Sequence, residues 1–341
     1  MWNHGERWLR GALIGQGSFA SVFLATPNKR TRGLLTGNLP AVMAVKSAEL
    51  SASESIQHEA AVLFEIKGCP FIIDRFGEET TTTDKGHKVY NLLLEFAAGG
   101  TLDGLIQRSN GHGLPEAEVK RYARSILEGV KHVHKCGYVH CDLKPENILL
   151  VPVAATCSSS GFVAKIADFG LAKKSKEKFS GWRGTPWYLS PEAFKDEKQD
   201  QSSDIWSLGC IVFEMLVGKS PWELKPGFDD LVDSYDAKML DHLRTSKIPA
   251  GISYMAMDFL KSCLATKPGK RLTAEELLSH PFLAWPQPTK PGHVKVKLVN
   301  SALGHTYGVR FLKRSAEYHA SGAIVPRIQP APGFGIQAGV E

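Results

Sequence analysis

With 341 residues, the chain is longer than one simple core requires, so two lobes or a domain with an extension is the expectation. Its composition of 43% apolar and 22% charged side chains is that of a soluble globular protein. Glu, Lys or Gly interrupts every apolar run before it reaches the length of a membrane span, and MWNHGERWLRG lacks the apolar centre of a signal peptide. The net charge of +6 is uneven: residues 285–341 hold seven of the 41 basic and two of the 35 acidic side chains, a local +5 against +1 for the rest. A balanced body argues against nucleic acid as its partner.

Residues 8–25, WLRGALIGQGSFASVFLA, read as strand, glycine turn and strand. TPNKRTRGLLTGNLP predicts a long polar loop and AVMAVKSA another strand. In ESIQHEAAVLFEIKG, apolar residues recur at helical spacing at Ile56, Ala60, Leu63 and Phe64. VYNLLLEFAAGG predicts a buried strand that stops at a glycine break. After about residue 98 the period changes. LPEAEVKRYARSILEGVKHVH carries one apolar stripe, Val119, Tyr122, Ala123, Ile126, Leu127, Val130 and Val133, on a long helix. SDIWSLGCIVFEMLVG is apolar nearly all round and predicts a core helix. MAMDFLKSCLA and LTAEELLSHPFL continue the helical character, and from Trp285 the return of Pro and Gly predicts a loosely structured extension.

Cysteines at 69, 136, 141, 157, 210 and 263 form no CxxC pair, which points to a reducing intracellular compartment. Cys136, Cys141, His134 and His140 lie close together but fit no common zinc spacing. The expected location is the cytoplasm. NKRTRG, residues 28–33, leaves the nucleus as an alternative, although a solvated loop accounts for it as well.

The glycines of GQGSFASV, residues 15–22, let backbone N–H groups approach phosphates. SVFLA alternates like a strand, so a hairpin over phosphates fits better than a helix terminus, with an ordinary glycine hairpin as the bland reading. Lys46 lies inside an apolar strand, where an ammonium needs an anion. A nucleotide phosphate with Glu59 would serve, or the stem lies along the surface with its head in water. YVHCDLKPENILL, residues 138–150, sets an acid, an amine and an amide (Asp142, Lys144, Asn147) between apolar flanks. KIADFGLAK places Asp168 beside Phe169 and Gly170; RGTPWYLSPEA, SDIWSLG and Arg271 in GKRLTAEELLSHPFL follow.

In this order and spacing, residues 8–284 resemble the eukaryotic protein kinases. WLRGALIGQGSFASVFLA, AVKSAELSASESIQHEAAVL, VYNLLLEFAAGGTLDGLI and VHCDLKPENILL are similar to plant MEKK-like mitogen-activated protein kinase kinase kinases. The resemblance implies an α+β bilobal fold, with a small β-rich lobe over residues 8–98 and one key helix, then a larger, mainly helical lobe over 99–284. Residues 1–7 and 285–341 are flanking extensions, the second basic. It implies transfer of the γ-phosphoryl group of ATP, with Mg²⁺, to Ser or Thr of a MAP kinase kinase. A serine/threonine kinase of another branch and a kinase-fold scaffold are the alternatives.

Residue by residue, the resemblance implies that Lys46 binds the α- and β-phosphates and pairs with Glu59. Asp168 and Asn147 would hold Mg²⁺, Asp142 would orient the substrate hydroxyl, and Lys144 would stabilise the transferring group. Ile14, Gly15 and Gly17 belong to the phosphate loop. Adenine would lie between Val22 and Ala44 above and Leu149 below. Glu95 and Ala97 offer backbone groups after the gatekeeper Leu94, and Thr101 or Asp103 reaches the ribose. Lys144 with Thr185 resembles serine/threonine rather than tyrosine kinases. Glu192 and Arg271 are expected as a buried ion pair, Asp204 as a support of the catalytic loop, and His140 as a packing residue.

Three positions depart from the family pattern. Ala20 replaces the third glycine of the phosphate loop, and Ser190 replaces an alanine; both changes are small. Cys141 stands where many kinases carry an arginine that pairs with an activation-loop phosphate. A thiol cannot hold a phosphate, so weak dependence on such phosphorylation is expected, with Ser175, Ser180 and Thr185 as modifiable hydroxyls. VPVAATCSSSGFV, residues 151–163, predicts a long surface hairpin loop.

Overall fold

The computed structural model describes residues 4–17, 20–28, 39–153, 161–177, 181–220 and 252–284. Strands β1 (Trp8–Gln16), β2 (Ser21–Pro27), β3 (Met43–Glu49), β4 (Arg75–Thr82) and β5 (Lys88–Glu95) form one antiparallel sheet in the order β1-β2-β3-β5-β4. Alternation divides β3 between two cores. Met43 and Val45 join Trp8, Ala25 and Leu93 on the outer face, while Ala44 and Ala48 join Leu92 and Leu94 in the main core. Lys46 lies opposite Val22 and Leu92, so the pleat aims it at the inner face.

Helix α1 (Glu54–Glu65) buries Ile56, Glu59, Ala60, Val62 and Leu63. Phe64, expected on that stripe, is instead 57% exposed, with the Lys67 ammonium 4.6 Å from its ring centre. It lies one residue, about 100° of helix rotation, beyond Leu63 and falls on the rim. The sequence reading contains no counterpart of β4. RFGEETTT has no apolar alternation, because this edge strand has a partner on one side only and its polar groups serve the rim. Glu79 accepts the Trp8 indole N–H at 2.9 Å, and Thr81 accepts an Asn91 amide N–H at 3.0 Å.

The second part is mainly helical, so the two-lobed α+β expectation holds. Helix α2 (Leu102–Gln107) is capped by Thr101. Helix α3 (Glu116–Lys135) buries all seven predicted stripe residues. Strands β6 (Tyr138–Val139) and β9 (Lys173–Lys174) pair, as do β7 (Ile148–Pro152) and β8 (Phe162–Ile166). The long loop predicted between β7 and β8 is closed by a Val153 N–H to Gly161 bond of 2.9 Å; its residues 154–160 lie outside the described ones. Helices α4 (Pro191–Asp196), α5 (Gln201–Val217), α6 (Tyr254–Cys263) and α7 (Ala274–Leu278) follow among the described residues. Every residue of α5 from Ser203 to Val217 is buried, as a helix apolar nearly all round predicts, and Ser203, Asp204, Ser207 and Glu214 are buried with the rest. A Cβ on Gly209 would lie 2.7 Å from Leu264, so glycine allows the close approach at this point.

The expected ion pair is present. Arg271 donates to Glu192 through both terminal nitrogens, at 2.6 and 2.7 Å. It also donates to the Ala265 and Ser202 carbonyls at 2.8 and 2.9 Å. Burial pushes the Glu192 carboxyl up, but the Arg271 bonds and charge outweigh it and hold the group below the usual carboxylate range. Arg271→Met leaves this carboxylate without its partner and is expected to cost about 3–5 kcal/mol by urea denaturation at neutral pH. Because the folded-state pKa of Glu192 is depressed, the pair stabilises above the unfolded carboxyl's pKa. The gap between wild type and variant therefore narrows as pH falls through the depressed value.

Candidate functional site

On the inner face of the sheet, the Lys46 ammonium bridges two acids, at 2.7 Å from Glu59 Oε2 and 2.9 Å from Asp168 Oδ1. Helix α1 supplies Glu59, whose other oxygen accepts the Phe169 N–H at 3.3 Å. Burial pushes the Glu59 carboxyl up, and Lys46 draws it back. Burial also works against the Lys46 charge, yet the two acids more than offset it and hold the lysine above its ordinary value. Burial would raise Asp168, and Lys46 keeps it low. The surface-lysine reading is therefore excluded: Lys46 is a charged, bonded member of a cluster.

Asp204, on the first turn of α5, accepts the N–H groups of His140 at 2.9 Å and Cys141 at 3.1 Å. Both ring nitrogens of His140 are engaged: Nδ1 accepts from the Asp142 N–H at 3.2 Å, and Nε2 donates to the Ala167 carbonyl at 3.1 Å. Its ring also meets Phe169 edge-on at 4.8 Å, so it packs and positions. Cys141 is buried at a φ of 68°, and burial, followed by the Asp204 charge, pushes its thiol far up. A thiol so buried and so raised is inert.

Past this bend, Asp142 Oδ1 accepts both the N–H and the hydroxyl of Thr185, at 2.9 and 2.8 Å. Lys144 reaches Asp142 Oδ2 at 3.0 Å and Thr185 Oγ1 at 2.7 Å. The Asn147 amide nitrogen donates to the Asp142 carbonyl at 2.8 Å and to its Oδ2 at 3.1 Å. Thr185, expected among the modifiable hydroxyls, is thus occupied, and a phosphate on it would lie against the Asp142 carboxylate. Gly184, at a φ of 110°, permits this closeness, since a Cβ there would stand 2.3 Å from the Cys141 carbonyl oxygen.

The strand register sets the other expected residues beside this cluster. Gly15, Val22, Lys46 and Leu92 form one row across the sheet, and Ala44 and Leu94 the next. Ile14 is 46% exposed, and the Gly17 N–H closes the glycine turn on Ala20 O at 2.8 Å. Ser18 and Phe19 lie outside the described residues. Glu95 spends its N–H on the Asp74 carbonyl at 2.9 Å, so the backbone group it can offer is its carbonyl. Leu149 bridges to Thr101 beyond Ala97. The Thr101 hydroxyl oxygen accepts the Gly104 N–H at 3.0 Å and Asp103 Oδ2 accepts from the Gln107 amide at 2.8 Å, so each carries a local helix bond and both remain candidates for a sugar contact.

Sequence reasoning did not connect α1 to the segment after Asp168. His58 bonds the Ala172 carbonyl at 2.6 Å, and Glu65 pairs with Lys174 at 2.9 Å. His134, whose spacing to Cys136 and Cys141 fits no zinc site, bonds Asp204 at 2.8 Å. No periodicity flags such contacts, because they join residues far apart in the chain.

The family model for the protein kinase domain matches residues 8–283. Mitogen-activated protein kinase kinase kinase 20 of Arabidopsis thaliana is 39% identical over 282 residues, which span 81% of this chain and 78% of the relative. Kinase kinase kinase 17 of the same plant is 38% identical, with 83% and 70% covered. Kinase kinase kinase 18 is 37% identical, with 82% and 78% covered. The chain belongs to the protein kinase family, within its mitogen-activated protein kinase kinase kinases.

Proposed function

We propose that this serine/threonine kinase moves the γ-phosphoryl group of ATP, with Mg²⁺, to a Ser or Thr hydroxyl of a MAP kinase kinase. The observation that carries this reading is the convergence of Lys46, Glu59 and Asp168 on one side and Asp142, Lys144 and Thr185 on the other. The choice of substrate is supported by the names of the plant relatives.

Asp168 and Asn147 fit a magnesium site. One is an ionised acid whose side chain is 46% exposed, and the other turns its amide nitrogen to Asp142, which leaves its carbonyl oxygen for a ligand. Two protein oxygens suit an ion that takes its remaining ligands from phosphate and water. Bound there, Mg²⁺ would neutralise phosphate charge.

The protein's own groups divide the remaining work. Lys46, held by Glu59, presents N–H donors to the α- and β-phosphates. Gly15 and Gly17 present backbone N–H groups, and Ile14, Val22, Ala44 and Leu149 enclose the adenine. The Glu95 carbonyl and the Ala97 backbone fix the base edge, and Thr101 or Asp103 takes the ribose. Asp142 receives the substrate hydroxyl and aligns it, with Thr185 holding Oδ1. Lys144 sets an ammonium beside the moving phosphoryl group.

Asp142→Asn is expected to lower kcat by about a thousandfold while leaving ATP affinity intact. The assay is phosphate transfer to catalytically dead MAP kinase kinases and to a general basic protein. Transfer to the general protein alone would overturn the substrate, and no transfer by folded wild type would overturn the activity. Gly184→Ala is expected to fold, as judged by circular dichroism, and to lose about a hundredfold in kcat at unchanged KM for ATP, because its Cβ displaces Thr185 from Asp142.

A further inference from the structure

In this chain the bend before Asp142 carries Cys141 and therefore no cation of its own. Two cations are supplied nearby in the fold instead, Lys173 on β9, which pairs with the strand just before the bend, and Arg183 on the segment that leads to Thr185. Lys173 is buried on β9, opposite Val139, and donates from Nζ to the Glu177 carbonyl at 3.1 Å. The chain turns back on itself here: the Glu177 N–H bonds the Lys174 carbonyl at 2.9 Å, and the Lys174 N–H bonds Glu177 Oε2 at 3.3 Å. The other oxygen, Oε1, accepts from Arg183 Nη2 at 3.1 Å. Arg183 is fixed from behind by Gln199, which accepts its N–H at 2.9 Å and donates to its carbonyl at 2.7 Å. Two residues later Thr185 grips Asp142.

We propose that Glu177 is a positioning residue whose carboxylate, by pairing with Arg183, holds the segment that sets Thr185 against Asp142, so that phosphoryl transfer proceeds in the unmodified chain. The proposal rests on the kinase reading above. It assigns to a side chain of the protein the anionic role that a phosphate would otherwise fill. The charge is placed by the fold, since β9 and the Lys174–Glu177 turn deliver it to Arg183 without help from any hydroxyl.

The test uses the full chain, treated with phosphatase and verified by mass to carry no phosphate. Wild type is expected to retain its rate after treatment, and Ser175→Ala and Ser180→Ala to match it. Glu177→Gln is expected to lower kcat about tenfold, the scale of one charge-assisted hydrogen bond, with KM for ATP unchanged. Arg183→Met should do the same, and the double variant should be no worse than either single one. The exchanged pair Glu177→Arg with Arg183→Glu should recover part of the loss, which shows the pairing; the lowered kcat at unchanged KM in the folded single variants is what a merely structural role would not produce. Trypsin should cut Glu177→Gln faster than wild type after Lys174 and Lys176. Equal kcat and equal cleavage in Glu177→Gln would overturn the proposal, as would loss of the wild-type rate on phosphatase treatment. Inactive wild type would count against the kinase reading, and the cleavage comparison would still decide the role of Glu177.

Discussion

The Asp204 carboxylate lies on the first turn of a helix that is buried from Ser203 onward, and it accepts two successive backbone N–H groups and a histidine ring N–H. A buried acid is costly unless its oxygens are bonded, and here the bonded groups are the backbone of the catalytic bend itself. That grip keeps Cys141 in the left-handed region, a conformation that costs about 1–3 kcal/mol for a residue with a side chain. The turn it creates points Asp142 toward Thr185 and Lys144. Asp204 touches none of the reacting groups, yet their arrangement follows from it.

The other half of the site depends on α1. Within one helix, His58, Glu59 and Glu65 reach Ala172, Lys46 with Phe169, and Lys174. The helix and the segment after Asp168 are therefore tied to each other at three points. Displacing α1 would release Lys46 from Glu59 and, through Phe169, disturb Asp168. Sheet, helix and segment are coupled by charge-assisted bonds, and the cluster Lys46–Glu59–Asp168 is where the three meet.

Much of this was legible because the catalytic types are expensive where they stand. Taken alone, Lys46 left a surface reading open, and the roles of Asp142, Lys144 and Asn147 came from the resemblance that the order and spacing of the motifs carried. The alternation of β3 and the stripe of α3 were equally plain, since burial imposes those periods. Phe64 was misplaced because neighbours on a helix differ by about 100°, and spacing alone does not say where the buried stripe ends. Strand β4 escaped because an edge strand needs no apolar face pattern. Thr101 and Asp103 stay indistinguishable in sequence and in geometry, since one caps α2 and the other bonds Gln107 on its first turn. The Glu177–Arg183 pair joins residues six apart and leaves no periodic mark, so only the folded chain brings it into view.

That the unmodified chain already holds its catalytic groups in working order is tested by a time course of γ-phosphoryl transfer to a catalytically dead MAP kinase kinase, begun with protein shown by mass to be free of phosphate. Transfer that is linear from the first turnover is the predicted result. A lag that shortens as kinase concentration rises, in step with phosphate appearing between Leu171 and Tyr188, would contradict it.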